Sequence, residues 1–164
     1  MKIHIVSAVG EGETPLSAFD SALQKTGVYN YNLIQLSSVI PPYSELVMSE
    51  QYNSPEHEYG YKLYVVKAEM RSDHVGKWVG AGLGWFQLAD GRGVFVEHET
   101  TGETEEVVRS ILTKSITRSV SDLCTFRGYE FTQQDIKMHI VSGEVKQHPV
   151  CALALAVYQS EGWK

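Results

Sequence analysis

The chain has 164 residues, of which 43% are hydrophobic and 21% charged, with a net charge of −6. That length makes one domain, able to bury roughly 68–70% of its unfolded surface without a disulfide or a metal. The composition excludes whole-chain disorder, collagen and coiled coil, and the acidic balance argues against nucleic acid or an anionic membrane as the main partner.

Residues 2–8 alternate and are β-branched, with Ile3 and Ile5 on one face and His4 and Val6 on the other, which predicts a strand. After a turn at Gly10–Gly12, Thr14 is a candidate N-cap and Pro15 fits the first helical position. Leu16, Phe19 and Leu23 form an apolar stripe, and Gly27 ends the helix. Residues 31–40 predict a strand interrupted by Ser37 and Ser38 and stopped by Pro41-Pro42. The polar stretch 49–60 predicts an exposed loop. Strands follow at 61–69 and 77–88, then a turn over Ala89–Gly93 leads into a strand at 94–98. A second helix is predicted over 104–124, capped by Thr104, with Val108, Ile111, Leu112, Ile116, Val120 and Leu123 on its apolar face. Strands return at 137–142 and 150–158. His-Ile-Val-Ser occurs at 4–7 and again at 139–142, too short a match to establish a duplication. Two helices among many strands predict an α/β or α+β sandwich with helices on the outer sheet faces, not a doubly wound parallel sheet.

Cys124 and Cys151 form neither a disulfide framework nor a CxxC knuckle and are expected as buried reduced thiols. No apolar run reaches the ~18–20 residues of a membrane span. Residues 1–6 lack the apolar region and cleavage site of a signal peptide, so a cytoplasmic protein is expected. GxxxxGK[ST], HExxH and GxSxG are absent. Gly80, Gly82 and Gly84 alternate along a strand and suit close packing rather than a phosphate loop. The six histidines show no ligand spacing, so no metal is expected.

Ser37-Ser38 stands apart. Two hydroxyls end an apolar strand just before a rigid diproline, a place suited to stored backbone strain. A serine hydroxyl can attack the carbonyl of the preceding residue to give an ester. β-Elimination then leaves dehydroalanine, which hydrolyses to a pyruvoyl group. The alternative is a pair of serines finishing a strand at a turn.

The run Asn32-Leu33-Ile34-Gln35-Leu36-Ser37-Ser38-Val39-Ile40-Pro41-Pro42 resembles the self-cleavage segment of the pyruvoyl-dependent arginine decarboxylases. Gly12–Leu23 is similar to that family's first helix, and Gly93-Val94-Phe95-Val96-Glu97 to the strand carrying its catalytic acid. Order, spacing and chain length all agree, so the resemblance covers nearly the full chain. The segment 32–42 is specific; the Glu97 block alone is weak.

The resemblance implies a four-layer αββα sandwich spanning residues 1–164 as a single domain, cut at Ser37–Ser38 into a β chain 1–37 and an α chain 38–164. Ser38 becomes the covalent pyruvoyl group, with no PLP and no metal. That group forms a Schiff base with the substrate amine and takes up the electrons left by CO2 loss, converting arginine to agmatine. Glu97 donates the proton, Asn32 holds the pyruvoyl or the oxyanion formed in processing, Asp20 meets the guanidinium and Leu23 lines the aliphatic pocket. Assembly is as a homotrimer of αβ units, or a dimer of trimers, with sites between neighbouring subunits, and no nucleic acid or membrane is involved. Glu97 is expected to be largely buried beside apolar groups, the setting that keeps a carboxylic acid protonated near neutral pH. Glu99 shares its strand face and is the alternative acid. Asp20 borders the helix's apolar stripe, where a carboxylate can grip a guanidinium bidentately. The loop 49–60 is distinctive and leaves lysine, ornithine or histidine open as substrates. An uncleaved trimeric scaffold or ligand-binding relative is a further alternative.

Overall fold

Alternation along β1 (Lys2–Glu11) sets the layering of the computed structural model, which describes residues 1–164. Ile3 and Ile5 face a core between two sheets, while Val6 faces a core under a helix. The same alternation recurs in β9 (Val150–Glu161). Its Ala152, Ala154 and Ala156 join the inter-sheet core, and Cys151, Leu153, Leu155 and Val157 the helix side.

One sheet has the order β2-β5-β9-β1-β4, built from β2 (Asn32–Gln35), β4 (Glu45–Met48), β5 (Lys62–Ser72), β9 and β1. The other has the order β3-β7-β6-β8, from β3 (Val39–Ile40), β6 (Trp78–Gln87), β7 (Gly93–Gly102) and β8 (Lys137–Glu144). Helix α1 (Pro15–Thr26) covers the outer face of the first sheet and α2 (Glu105–Phe126) that of the second, completing the αββα sandwich. Cys124 and Cys151 are free and buried, as expected.

Both helices start where predicted. The Ser17 N–H donates to Thr14 Oγ1 at 3.1 Å and the Val107 N–H to Thr104 Oγ1 at 3.2 Å. Gly27 ends α1 at φ 83°, the left-handed position glycine favours. Gly80, Gly82 and Gly84 face α2: a Cβ on Gly84 would lie 2.1 Å from Ile116 Cγ2, and one on Gly80 2.2 Å from Val108 Cγ1. The glycine row thus lets the helix seat directly on β6.

Four expectations need correction. The buried face of α1 is Ala18, Ala22, Leu23 and Thr26, while Leu16 is 67% exposed. The cause is backbone proximity: a Cβ on Gly10 of β1 would fall 2.2 Å from the Ala18 carbonyl oxygen, so only small residues fit the contact line. On α2 the contact follows an i, i+4 ridge through Val108, Leu112, Ile116, Val120 and Cys124, leaving Ile111 outside it. The loop 49–60 is not wholly exposed. It contains a single 3₁₀ turn at Glu56–Glu58, and Tyr52 packs edge-on against Tyr31, which donates to Glu58 Oε2 at 2.5 Å. Finally, the strand predicted over 31–40 is two strands, and β4 pairs parallel with β1 where no strand was predicted.

Candidate active site

The break in that predicted strand is the centre of the site. β2 pairs parallel with β5 in the first sheet; β3 pairs antiparallel with β7 in the second. Leu36, Ser37 and Ser38 carry the chain across. Each end of the crossing is pinned: the Leu36 N–H donates to the Val65 carbonyl at 2.8 Å, and the Ser38 carbonyl accepts from the Phe95 N–H at 2.8 Å. Between these anchors Ser38 takes φ 72°. A non-glycine residue in that left-handed region costs about 1–2 kcal/mol. The rotation has a chemical consequence. At negative helical φ a side chain points away from the preceding carbonyl carbon; at positive φ, Cβ swings gauche to it. The Ser38 Cβ, which carries the hydroxyl, is thereby turned toward the Ser37–Ser38 bond.

Ser38 is 8% exposed, and its hydroxyl donates to Glu97 Oε2 at 2.8 Å. Glu97 lies on β7 two residues beyond Phe95, so both point to the inter-sheet side. Its burial is partial, less than predicted. It borders an open polar cleft rather than the apolar interior between the sheets. Tyr158, on β9, completes the inner ring of contacts. Its hydroxyl donates to the Val39 carbonyl at 3.0 Å, and its ring stands edge-on to Phe95 at 6.3 Å. Burial first, and then the charge of Glu97, push this hydroxyl well above its ordinary pKa, so it stays a donor.

The remaining predicted residues lie elsewhere in the chain. Asn32 is exposed at the start of β2, with its Nδ2 donating to the Gly60 carbonyl at 2.7 Å. Asp20 is exposed on α1, opposite that helix's buried face. Leu23 is 7% exposed and packs in the core beneath α1. Ser37 is exposed beside the buried Ser38. One chain therefore brings Ser38 and Glu97 together and leaves Asn32, Asp20 and Leu23 apart from them.

A polar cleft of about 300 Å3 adjoins Glu97 and is lined by Gln35, Lys67, Glu69 and Glu99. Burial would raise the Glu69 carboxyl, but hydrogen bonds from Arg71 and Lys67 outweigh it and hold the group below its usual range. Glu99 is exposed. A larger cleft of about 480 Å3 near the end of α1, between Gln24, Tyr29, Gln51 and Tyr52, holds none of the predicted site residues.

Sequence reading missed Tyr158 and the Phe95 N–H. A backbone donor leaves no trace in residue identity. For Tyr158 the trace was slight: a tyrosine ends the alternating row Ala152, Ala154, Ala156.

The assembled geometry can do two things. A left-handed serine with a carboxylate on its hydroxyl can attack its own preceding carbonyl. The same carboxyl group can later exchange a proton with whatever occupies residue 38. Comparison with known proteins points to one family. A family model described as pyruvoyl-dependent arginine decarboxylase matches residues 2–162. A pyruvoyl-dependent arginine decarboxylase of Thermococcus sibiricus is 34% identical, over 95% of this chain and 93% of its own. Its namesake from Pyrococcus furiosus is also 34% identical, with the same coverage. One from Methanococcus vannielii is 30% identical, over 94% of this chain and 87% of its own.

Proposed function

This chain belongs to the family of pyruvoyl-dependent arginine decarboxylases, and from that premise we propose that it makes its pyruvoyl group from Ser38 and converts arginine to agmatine and CO2. The observation that carries the role of Ser38 is its left-handed backbone together with its hydrogen bond to Glu97.

In the uncut chain, Glu97 accepts the Ser38 hydroxyl proton as Oγ attacks the Ser37 carbonyl carbon. The amide nitrogen leaves with a proton, and an ester links Ser37 to Ser38 Oγ. Loss of the Ser38 α-proton then breaks the Cβ–Oγ bond. Ser37 departs as a free carboxylate, the new chain end of residues 1–37. Hydrolysis of the resulting dehydroalanine releases ammonia and leaves the pyruvoyl on residues 38–164.

The residues present fit that group. The Phe95 N–H already holds the residue 38 carbonyl, and Glu97 lies against the same residue. When formed, the pyruvoyl supplies an electron sink for decarboxylation. Glu97 then hands a proton to the substrate α-carbon. Asp20 receives the guanidinium bidentately, which selects arginine over lysine. Leu23 lines the aliphatic side of the pocket, and Asn32 turns from Gly60 to the pyruvoyl. Since Asp20 and Ser38 do not meet within one chain, the complete site joins neighbouring subunits of a homotrimer. The relatives' names favour arginine over lysine, ornithine or histidine, and an enzyme over an uncleaved scaffold. We place the enzyme in the cytoplasm; no helix is long and apolar enough to cross a membrane.

The test is an intact mass under denaturing conditions. From 18.3 kDa, cleavage is expected to give species of about 4 and about 14 kDa, the larger without a free amino terminus. These should appear together with agmatine release from arginine in the absence of PLP. A chain that stays whole after prolonged incubation overturns the proposal.

A further inference from the structure

We infer that Tyr158 is a positioning residue for self-cleavage, holding the Val39 peptide so that Ser38 keeps its left-handed turn. The inference rests on the reading of Ser38 as the pyruvoyl precursor.

Two donors grip the chain just downstream of the Ser37–Ser38 bond. The Phe95 N–H binds the Ser38 carbonyl at 2.8 Å, and the Tyr158 hydroxyl binds the Val39 carbonyl at 3.0 Å. β7 can supply only the first. Successive carbonyls of an antiparallel strand point to opposite sides, and the register pairs Val39 with Val94, so the Val39 carbonyl faces away from β7. That carbonyl lies on the outer side of an edge strand only two residues long, where a backbone partner is missing. Tyr158 reaches it from the other sheet.

The consequence is directional. With residue 38 bonded on one side and residue 39 on the other, the Ser38–Val39 peptide cannot rotate to relax φ at Ser38. Without the Tyr158 hydroxyl, one of the two grips is lost and Ser38 can return to extended backbone, which takes its hydroxyl away from the Ser37 carbonyl. After cleavage the need grows: residue 38 becomes a chain end, held covalently through Val39 alone. The ring itself is braced edge-on against Phe95, so Tyr158→Phe removes the hydroxyl and keeps the packing. Burial keeps that hydroxyl protonated and able to donate.

The experiment follows cleavage of the full chain by intact mass after a short pulse of cell-free synthesis, for wild type and Tyr158→Phe. Expected is cleavage about three- to tenfold slower in the variant, the effect of one hydrogen bond. The uncleavable chains Ser38→Ala and Ser38→Ala/Tyr158→Phe are expected to melt at the same temperature. Once cut, Tyr158→Phe should show a lower kcat per cleaved chain with an unchanged KM for arginine. Equal cleavage rates in wild type and variant overturn this inference and leave the role of Ser38 standing. So does slower cleavage accompanied by a matching fall in melting temperature of the uncleavable pair, which would make the hydroxyl a stability element. A wild-type chain that never cleaves overturns the reading of Ser38 and this inference with it.

Discussion

The Ser38 hydroxyl donates to Glu97 Oε2 at 2.8 Å across 59 residues of sequence, joining an inter-sheet crossing to the middle of β7. On the proposed mechanism one carboxyl group serves residue 38 before and after cleavage: as a proton acceptor for the hydroxyl, then as a proton donor to substrate. Glu97→Gln keeps an acceptor oxygen for Ser38 and removes the proton traffic. It is expected to fold, to cleave more slowly, and to lower kcat by about 10²–10⁴-fold per cleaved chain, the usual worth of a general acid. Single-turnover release of agmatine, normalised to the 38–164 species, measures this. An unchanged kcat would remove Glu97 from the chemistry and leave Glu99, on the same face, as the acid to test.

Strain at Ser38 is measurable without any turnover. Ser38→Ala and Ser38→Gly are both expected to abolish cleavage, but only glycine adopts φ 72° without a Cβ penalty. Ser38→Gly is therefore expected to be more stable than Ser38→Ala by about 1 kcal/mol, reversing the ordinary order for glycine against alanine. Urea unfolding of the two uncleavable chains reads this directly. Alanine equal to or above glycine would mean that the backbone at residue 38 holds no strain.

How far the sequence reveals this site depends on where each constraint comes from. Local signals were reliable: Thr14, Pro15 and Gly27 bound α1, and Pro41-Pro42 stops the strand after Ser38. What ties Ser38 down is not local. Val65 and Phe95, the partners on either side of the crossing, lie 29 and 57 residues away from Leu36 and Ser38, and they contribute a carbonyl that every residue has and an N–H that every residue but proline has. The same reason hid β4, a four-residue strand that exists because β1 offers it an edge. The misjudged face of α1 has a related cause: the stripe Leu16, Phe19, Leu23 has the right helical spacing, but Gly10 brings the helix backbone so close that alanines take the contact. Pattern finds amphipathic faces; it does not measure the distance between elements.

The same sandwich contains a pH-sensitive tie. His139 on β8 shares a 2.7 Å hydrogen bond with the Ser7 hydroxyl on β1, linking the two sheets. Burial, and then the Arg109 charge on α2, hold its pKa below the ordinary histidine value. The unfolded chain binds a proton there near pH 6.5 and the folded chain only at lower pH. The stability from the neutral form is therefore complete above about pH 6.5 and is lost as pH falls toward the folded value. His139→Gln is expected to cost about 1 kcal/mol at pH 8, the worth of one hydrogen bond, and the gap from wild type should narrow as pH drops below 6.5. Melting curves of uncleavable Ser38→Ala chains across pH 5–8 test it; a gap that stays constant would show that His139 does not titrate in this range.

Asp20 supplies the last prediction, because its position separates two arrangements of the active site. It stands on the exposed side of α1, while Ser38 is buried between the sheets of the same chain. If Asp20 binds the guanidinium, it does so for a neighbour's residue 38. Asp20→Ala should then cleave normally and lose kcat/KM for arginine, with the preference for arginine over lysine collapsing. Ser38→Ala should stay whole and inactive. Co-expression of the two variants is the sharper experiment. In trimers assembled at random from equal amounts, a site has an intact residue 38 with an intact neighbouring Asp20 about one time in four. Arginine decarboxylation is therefore expected to recover to about a quarter of the wild-type rate per site, from two chains that are each deficient alone. Recovery absent in verified mixed trimers would place Asp20 outside the shared site, and an arginine to lysine ratio unmoved in Asp20→Ala would remove its role in specificity.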